Sequence, residues 1–265
     1  MSTTEGVHPR GRRLGARSSI RSVLDLLHLE DQKAVKAVGR VRPQIAKAAK
    51  LIAQALSAGG RLIYIGAGTS GRLGALDAAE CPPTFGTAAW QVVALIAGGP
   101  QALTGAIEGA EDDVADGTRS IRAARACAKD VVCGVSASGR TPWVLAALAQ
   151  ARVLGAKTVL VSCNPQAARK VSVDVRICPD TGAEVIAGST RLKAGTATKL
   201  VLNALSTAAM VKLGHVEAGR MSKLRPTNAK LRDRAVGIVS DLLGVDRMEA
   251  TRRLEAAGDV AGALK

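Results

Sequence analysis

With 265 residues, of which 47% are apolar, the chain can bury a sizeable core and build one large α/β domain with a helical appendage. Aromatic residues are only 2%, which argues against stacking on unpaired bases, and no apolar run reaches membrane-span length. A formal net charge of +15 asks instead for an anionic partner: nucleic acid, an anionic surface or a phosphorylated substrate. Arg10, Arg12, Arg13, Arg17 and Arg21 crowd a stretch in which Glu5 is the only acid, so residues 1–18 read as a basic, flexible arm. Cysteines 81, 127, 133, 163 and 178 form no CxxC pair, and His8, His28 and His215 have no metal-ligand spacing. Free thiols in a reducing cytoplasm are expected, and no metal.

In chain order, apolar spacing predicts a helix from Ile20 through Leu27 and a second over Asp31–Ala58, kinked at Pro43 and ended by Gly59-Gly60. Strands and helices then alternate. A buried strand over Arg61–Ile65 enters a turn with glycines at 66, 68 and 71, and a helix follows from Gly71 to Ala79, with Glu80 at its end before Cys81-Pro82-Pro83. Further strands are predicted at Gln91–Ala97, Asp130–Val135, Thr158–Ser162 and Val173–Cys178, and helices at Ala102–Gly109, Ile121–Ala128, Trp143–Leu154 and Ser189–Leu213. Apolar strands joined by helices imply a parallel sheet of about five strands flanked by helices on both faces, an αβα sandwich. This domain spans 19–225 with its leading helices. A helical tail over 226–265 follows, with one helix at Asn228–Leu243 and two short ones around Gly258.

Gly66-Ala67-Gly68-Thr69-Ser70-Gly71 fits the dinucleotide fingerprint GxGxxG, yet the next strand ends Leu95-Ile96-Ala97-Gly98-Gly99 without the acid that a ribose requires. A second turn, Ser136-Ala137-Ser138-Gly139-Arg140-Thr141, also follows a strand and opens a helix. Its hydroxyls and free N–H groups suit a phosphate monoester, and in a parallel sheet both turns face one crevice beyond the carboxyl ends of the strands. Glu80 and Glu111 are the candidate acid and base. Lys193 and Lys199 begin a long helix, where cations oppose the helix dipole, so Lys193 is a candidate anion ligand.

Together these stretches resemble the N-acetylmuramic acid 6-phosphate etherase family, built on the sugar isomerase (SIS) domain. The resemblance rests on residues 61–86, 95–113, 136–142 (SASGRTP), 162–165 (SCNP), 187–210 and 227–236. It implies a lyase that releases D-lactate from N-acetylmuramate 6-phosphate in cell-wall recycling, without metal or organic cofactor. It assigns Glu80 as proton donor and Glu111 as the other acid/base. The phosphate falls to Ser136, Ser138, Gly139 and Thr141, and the sugar lies near Gly68, Thr69, Ser70 and Gly71. It further implies a homodimer in which one subunit's helices complete the other's site, acting on a phosphorylated amino sugar; no specific nucleic acid and no membrane are expected as partners, with nucleic-acid binding through the basic arm as a rival reading. The chain departs from the pattern at its start, where His8 replaces an Asn after Thr4-Glu5, at Gly219-Arg220-Met221, and in a shorter tail. A phosphosugar-binding regulator and a sugar-phosphate isomerase share the same motifs and stand as alternatives.

Overall fold

The computed structural model of the chain describes Thr4 and residues 6–11, 14–224, 226 and 229–265. Helix α1 (Ile20–Arg40) begins where the Ser19 hydroxyl accepts the Ser22 amide at 3.1 Å. It runs unbroken through Asp31, where a second helix was expected to start. The break falls at Val41, before α2 (Arg42–Ser57). Pro43 sets that position: it has no N–H for the carbonyl of Gly39, which accepts from Arg42 Nε at 3.0 Å instead, and it suits the first turn of a new helix.

Five parallel strands follow, β1 (Leu62–Gly66), β2 (Val92–Ile96), β3 (Val131–Val135), β4 (Lys157–Val161) and β5 (Val175–Ile177), in the order β2-β1-β3-β4-β5. Leu62 pairs with Val92 on one side and Val131 on the other, so these three strands start level. They are connected through α3 (Gly68–Phe85), α4 (Val114–Ala123), α5 (Pro142–Val153) and the short α6 (Pro165–Ala168), and α7 (Lys193–Lys212) follows β5. Successive side chains divide between two cores, as a doubly covered sheet requires. Leu62, Tyr64, Cys133 and Val159 pack on α2, α3 and α7, whereas Ile63, Ile65, Val132 and Leu160 pack on α4 and α5, with Trp143 fully buried among them. A two-stranded turn, β6 (Val216–Glu217) with β7 (Arg220–Met221), leads to α8 (Ala229–Leu243), α9 (Arg247–Ala257) and α10 (Val260–Ala263). These last helices close on a small core of their own around Leu224, Val239, Leu254 and Val260.

Three further local expectations are corrected. Helix α3 does not stop at Ala79 but continues through Pro82 and Pro83 to Phe85, so Glu80 lies inside a helix. Helix α4 starts earlier than Ile121, because the Asp113 carboxylate caps the Asp116 amide at 2.8 Å. The segment 102–109 is not an α-helix; a 3-10 turn at Pro100–Leu103 gives way to irregular chain. Arg72 explains this, since its guanidinium donates to the carbonyls of Ala102 (3.0 Å), Leu103 (3.1 Å) and Gly105 (2.6 Å), which a helix would need for its own amides.

At the start of the chain, expected as a flexible arm, Thr4 and His8 are buried, while Val7, Pro9, Arg10 and residues 15–17 are exposed. The Thr4 carbonyl accepts from the Glu184 amide at 3.3 Å, and His8 is buried with Nε2 3.2 Å from Glu30. A buried carboxylate needs donors, and His8 supplies one. Glu5, Arg12 and Arg13 lie outside the described residues, as do Thr227 and Asn228.

One buried group ties α3 to its surroundings. The Asp77 carboxylate accepts from Tyr64 Oη at 2.8 Å, Asn203 Nδ2 at 2.8 Å and Ser206 Oγ at 3.1 Å, joining α3 to β1 and α7. Burial is the main influence on this carboxyl and raises its pKa against those donors. Asp77→Ala strands three donors, one of them on the buried Tyr64, and is expected to cost about 2–4 kcal/mol in urea unfolding. Leu76→Ala, on the exposed face of the same helix, serves as the control, expected within about 0.5 kcal/mol of wild type. Equal midpoints for the two variants would contradict this anchoring role.

Candidate functional site

The carboxyl edge of the sheet gathers the predicted turns. Ala67 caps α3 in extended conformation, and Gly68 follows with φ of +50°. Gly71 permits the close approach of α3 to the sheet, since a Cβ there would sit 2.5 Å from the Ile96 side chain and 2.8 Å from the Gly66 carbonyl oxygen. Thr69 and Ser70 are therefore held at the first turn of α3, directly above β1. Next to it, after β3, the Ser136 hydroxyl accepts the Gly139 amide at 3.1 Å and lies 2.8 Å from Thr141 Oγ1 and 3.4 Å from Ser138 Oγ. Gly139 has φ of +68°, and a Cβ there would meet Ser162 Oγ at 2.8 Å. This is a tight bowl of three hydroxyls whose hydrogen bonds can turn toward an anionic oxygen. Because Gly66 pairs with Ile96 and Val135, the turns after β2, β1 and β3 are neighbours.

Glu111 belongs to this edge. It lies in a 3-10 turn at Ala110–Asp112 that rests over the end of β2, where a Cβ on Gly98 would touch Ala110 Cβ at 3.2 Å. Within the surrounding acidic cluster, Asp113 caps α4 and Asp116 accepts Trp143 Nε1 at 2.8 Å. Glu111 is exposed and has no hydrogen bond or ion pair among the described residues. Glu80 is likewise exposed and unpaired, but it does not join the turns. Twelve residues of helix separate it from Gly68, about 18 Å along the axis, toward the edge at which β2 begins. Cys81 beside it is an inert packed thiol, with burial pushing its pKa up to about 12.

Lys193 departs most from its expected role. It is 2% exposed, and its Nζ sits 2.6 Å from Glu30 Oε2. Glu30, itself 2% exposed, also accepts from Lys33 at 2.6 Å and from His8 Nε2. The His8 Nδ1 accepts the Gly11 amide at 3.2 Å, which leaves Nε2 as the ring nitrogen that faces Glu30. The first turn of α7, expected to cradle a ligand anion, holds the protein's own Glu184: this fully buried carboxylate accepts the Ala194 amide at 2.9 Å and the Lys193 amide at 3.3 Å. A lysine at that helix start is thus offset by two buried carboxylates. Glu184 and Arg72 escaped the sequence reading, because the groups they hold, the first amides of α7 and the carbonyls of Ala102, Leu103 and Gly105, lie outside their own local stretch. Among the described residues, no group of three or more His, Cys, Asp or Glu is placed to hold a metal ion.

Comparison with known proteins decides the kinship. Over 229 residues the chain is 55% identical to the N-acetylmuramic acid 6-phosphate etherase of Serratia proteamaculans, covering 86% of this chain and 77% of that protein. It is 53% identical over 233 residues to that of Yersinia pestis, covering 88% and 79%. This chain belongs to the N-acetylmuramic acid 6-phosphate etherase family. Residues 44–152 also match the family model of the glucokinase regulatory protein N-terminal SIS domain. A solved structure shares the fold: phosphoheptose isomerase from Neisseria gonorrhoeae aligns with a TM-score of 0.53 at 18% identity, over 71% of this chain and 98% of that one. A protein of Escherichia coli CFT073 aligns with a TM-score of 0.53 at 20% identity, over 76% and 97%. The parallel five-stranded sandwich of this etherase-family chain is thus the SIS fold expected from its sequence.

The Glu30 cluster gives a pH signature. Burial works to raise the Glu30 carboxyl, but Lys193 and Lys33 outweigh it and hold the group at about 2 rather than 4.5. A depressed folded pKa contributes stability above the unfolded value, which is lost as pH falls through the folded one. The shift corresponds to about 3 kcal/mol at neutral pH, lost between roughly pH 4.5 and 2. Denaturant titrations at several pH values are expected to show a shallower acid limb for Glu30→Gln than for wild type. Parallel acid limbs would contradict the assignment.

Proposed function

We propose that this chain is a lyase that cleaves the D-lactyl ether of N-acetylmuramate 6-phosphate, giving N-acetylglucosamine 6-phosphate and D-lactate. What carries this reading, beyond family membership, is which carboxylates are left unengaged. Asp77, Asp113 and Asp116 all have structural partners, whereas Glu80 and Glu111 are exposed and without a side-chain partner among the described residues, as are Glu108 and Asp112, which the resemblance does not assign.

In this reading the phosphate sits in the Ser136–Ser138–Thr141 bowl against the Gly139 turn, and the opened sugar lies along Thr69, Ser70 and Gly71. Opening the ring to the aldehyde acidifies the C2 proton. One carboxylate, Glu111, takes that proton while Glu80 as acid protonates the departing lactate oxygen, and the C3–O bond breaks to leave a C2=C3 double bond. Water then adds, its hydroxyl to C3 and a proton to C2, with the two carboxylates exchanging roles. No step consumes an oxidant or reductant. Glu111 stands at the carboxyl edge of its own sheet, and Glu80 about 18 Å down α3. A homodimer that brings the partner's α3 across the crevice reconciles that separation with chemistry on one substrate. Lys193 then acts behind the site, fixing the start of α7 next to Thr69. The cytoplasm is the compartment we assign, consistent with five cysteines that are all unpaired.

The match to the glucokinase regulatory protein SIS domain supports a second reading, a phosphosugar-binding regulator without turnover. The two separate on a coupled-mutant experiment. Glu80→Gln and Glu111→Gln are each expected to lower lactate release at least about 100-fold. Random pairing of the two variants by co-expression makes half the dimers mixed, each with one intact site, so activity should return to about a quarter of wild type. A mixed preparation as inactive as its parents would contradict the shared site, and variants that release lactate at the wild-type rate would remove both glutamates from the chemistry.

A further inference from the structure

Beyond the turns above β1 and β3, a large concavity lies on the β4 and β5 side, against α1. It is a cleft of about 1060 Å³ between α1, the turn after β4 and the turn after β5. Its volume is at or above the upper end of ordinary small-molecule sites. Lys33, Lys36 and Arg40 line one wall, spaced as a single stripe of α1 that spans about 10 Å. Arg169 lines the opposite side. Glu30 carries one negative charge, which the buried Lys193 offsets, so Lys33 adds net positive charge to the wall although it too contacts Glu30 at 2.6 Å; the other lining carboxylate, Asp180, accepts the Gly182 amide at 3.2 Å.

The floor supplies a second, independent sign. Asn164 is 3% exposed, and its Nδ2 has no hydrogen-bond partner among the described residues. Its amide orientation is fixed, since Oδ1 accepts the Ala167 amide at 3.2 Å, so the group left over is a donor. Thr181 Oγ1, on the facing turn, is also buried; the Cys163 thiol is beside it, and it has no oxygen or nitrogen partner among the described residues. A buried donor without an acceptor costs about 1–3 kcal/mol, and an oxygen-rich ligand in the cleft recovers it with a small side-chain shift.

We propose that this cleft is a second anion site, distinct from the substrate's phosphate bowl, that takes a small polyphosphorylated molecule. The charge spacing selects the class. A single phosphate reaches one or two of the α1 cations, whereas a diphosphate or longer chain runs along the stripe with its inner oxygens toward Asn164 and Thr181. Bound there, it bridges α1 to the turns after β4 and β5, and so touches the same Glu30–Lys193 contact that fixes α7.

The test is calorimetric titration of the full chain with inorganic pyrophosphate and, separately, orthophosphate. Saturable binding at one site is expected, with pyrophosphate at least ten-fold tighter. The double variant Lys36→Ala/Arg40→Ala changes two exposed helix positions. It is expected to weaken pyrophosphate at least ten-fold while lactate release from N-acetylmuramate 6-phosphate stays at the wild-type rate. Ser138→Ala is expected to leave pyrophosphate binding unchanged. The proposal is overturned by no saturable pyrophosphate binding, by unchanged affinity in the double variant, or by loss of pyrophosphate binding in Ser138→Ala, which would place the ion in the substrate bowl. None of the binding outcomes depends on turnover, so failure here and failure of the etherase reading are separately visible.

Discussion

A helix that leaves the carboxyl edge of a parallel strand has to travel back toward the other edge before the next parallel strand can begin. In this chain that constraint acts on α3, which holds Thr69 and Ser70 at one end and Glu80 near the other. Ligand chemistry in such sheets belongs at the carboxyl edge. Glu80 lies well down the helix from that edge. The exposed, unpaired state of Glu80, the anchoring of α3 by Asp77, and the passage of the helix through Pro82 and Pro83 all concern how firmly that carboxylate is presented. The two prolines lack the amides that would bond the carbonyls of Ala78 and Ala79, so this part of the helix is held by packing of Cys81 and Phe85 rather than by its own ladder.

The second organising theme is buried charge. Glu30 and Glu184 are carboxylates taken almost wholly out of water; Glu30 draws on His8, Lys33 and the distant Lys193, and Glu184 on the amides of Lys193 and Ala194. Breaking such a pair costs more than the intact pair contributes, because it leaves a buried charge without its partner. It locks the first turn of α7 and draws the chain's first residues onto the body through His8 and Thr4. Gly195 of that turn lies close to Thr69, whose Cγ2 would be 3.9 Å from a Cβ added at Gly195, so the cluster stands directly behind the first turn of α3.

How much of this was legible in the sequence follows from range. The five strands, the two hydroxyl turns and the shape of the sandwich could be read because strand hydrophobicity and glycine turns are local signals. The stretch 102–109 could not, because its apolar spacing favours a helix and Arg72, thirty residues away, takes its carbonyls. The arm misled for a related reason: a basic composition says nothing of a single His8 sought by a buried Glu30. Lys193 was correctly singled out as anomalous at a helix start, but the anions that explain it are Glu184 and Glu30, which carry no motif. Glu80 and Glu111 came from resemblance, and the structure adds that Glu80 lies about 18 Å along α3 from Gly68.

The central claim is that the ether is broken by elimination at the sugar and repaired by water at C3. The most direct measurement runs the reaction on N-acetylmuramate 6-phosphate in water labelled with heavy oxygen and weighs both products. The account predicts D-lactate free of label and N-acetylglucosamine 6-phosphate carrying one labelled oxygen at C3. Label in the lactate hydroxyl, or no lactate at all, would contradict it.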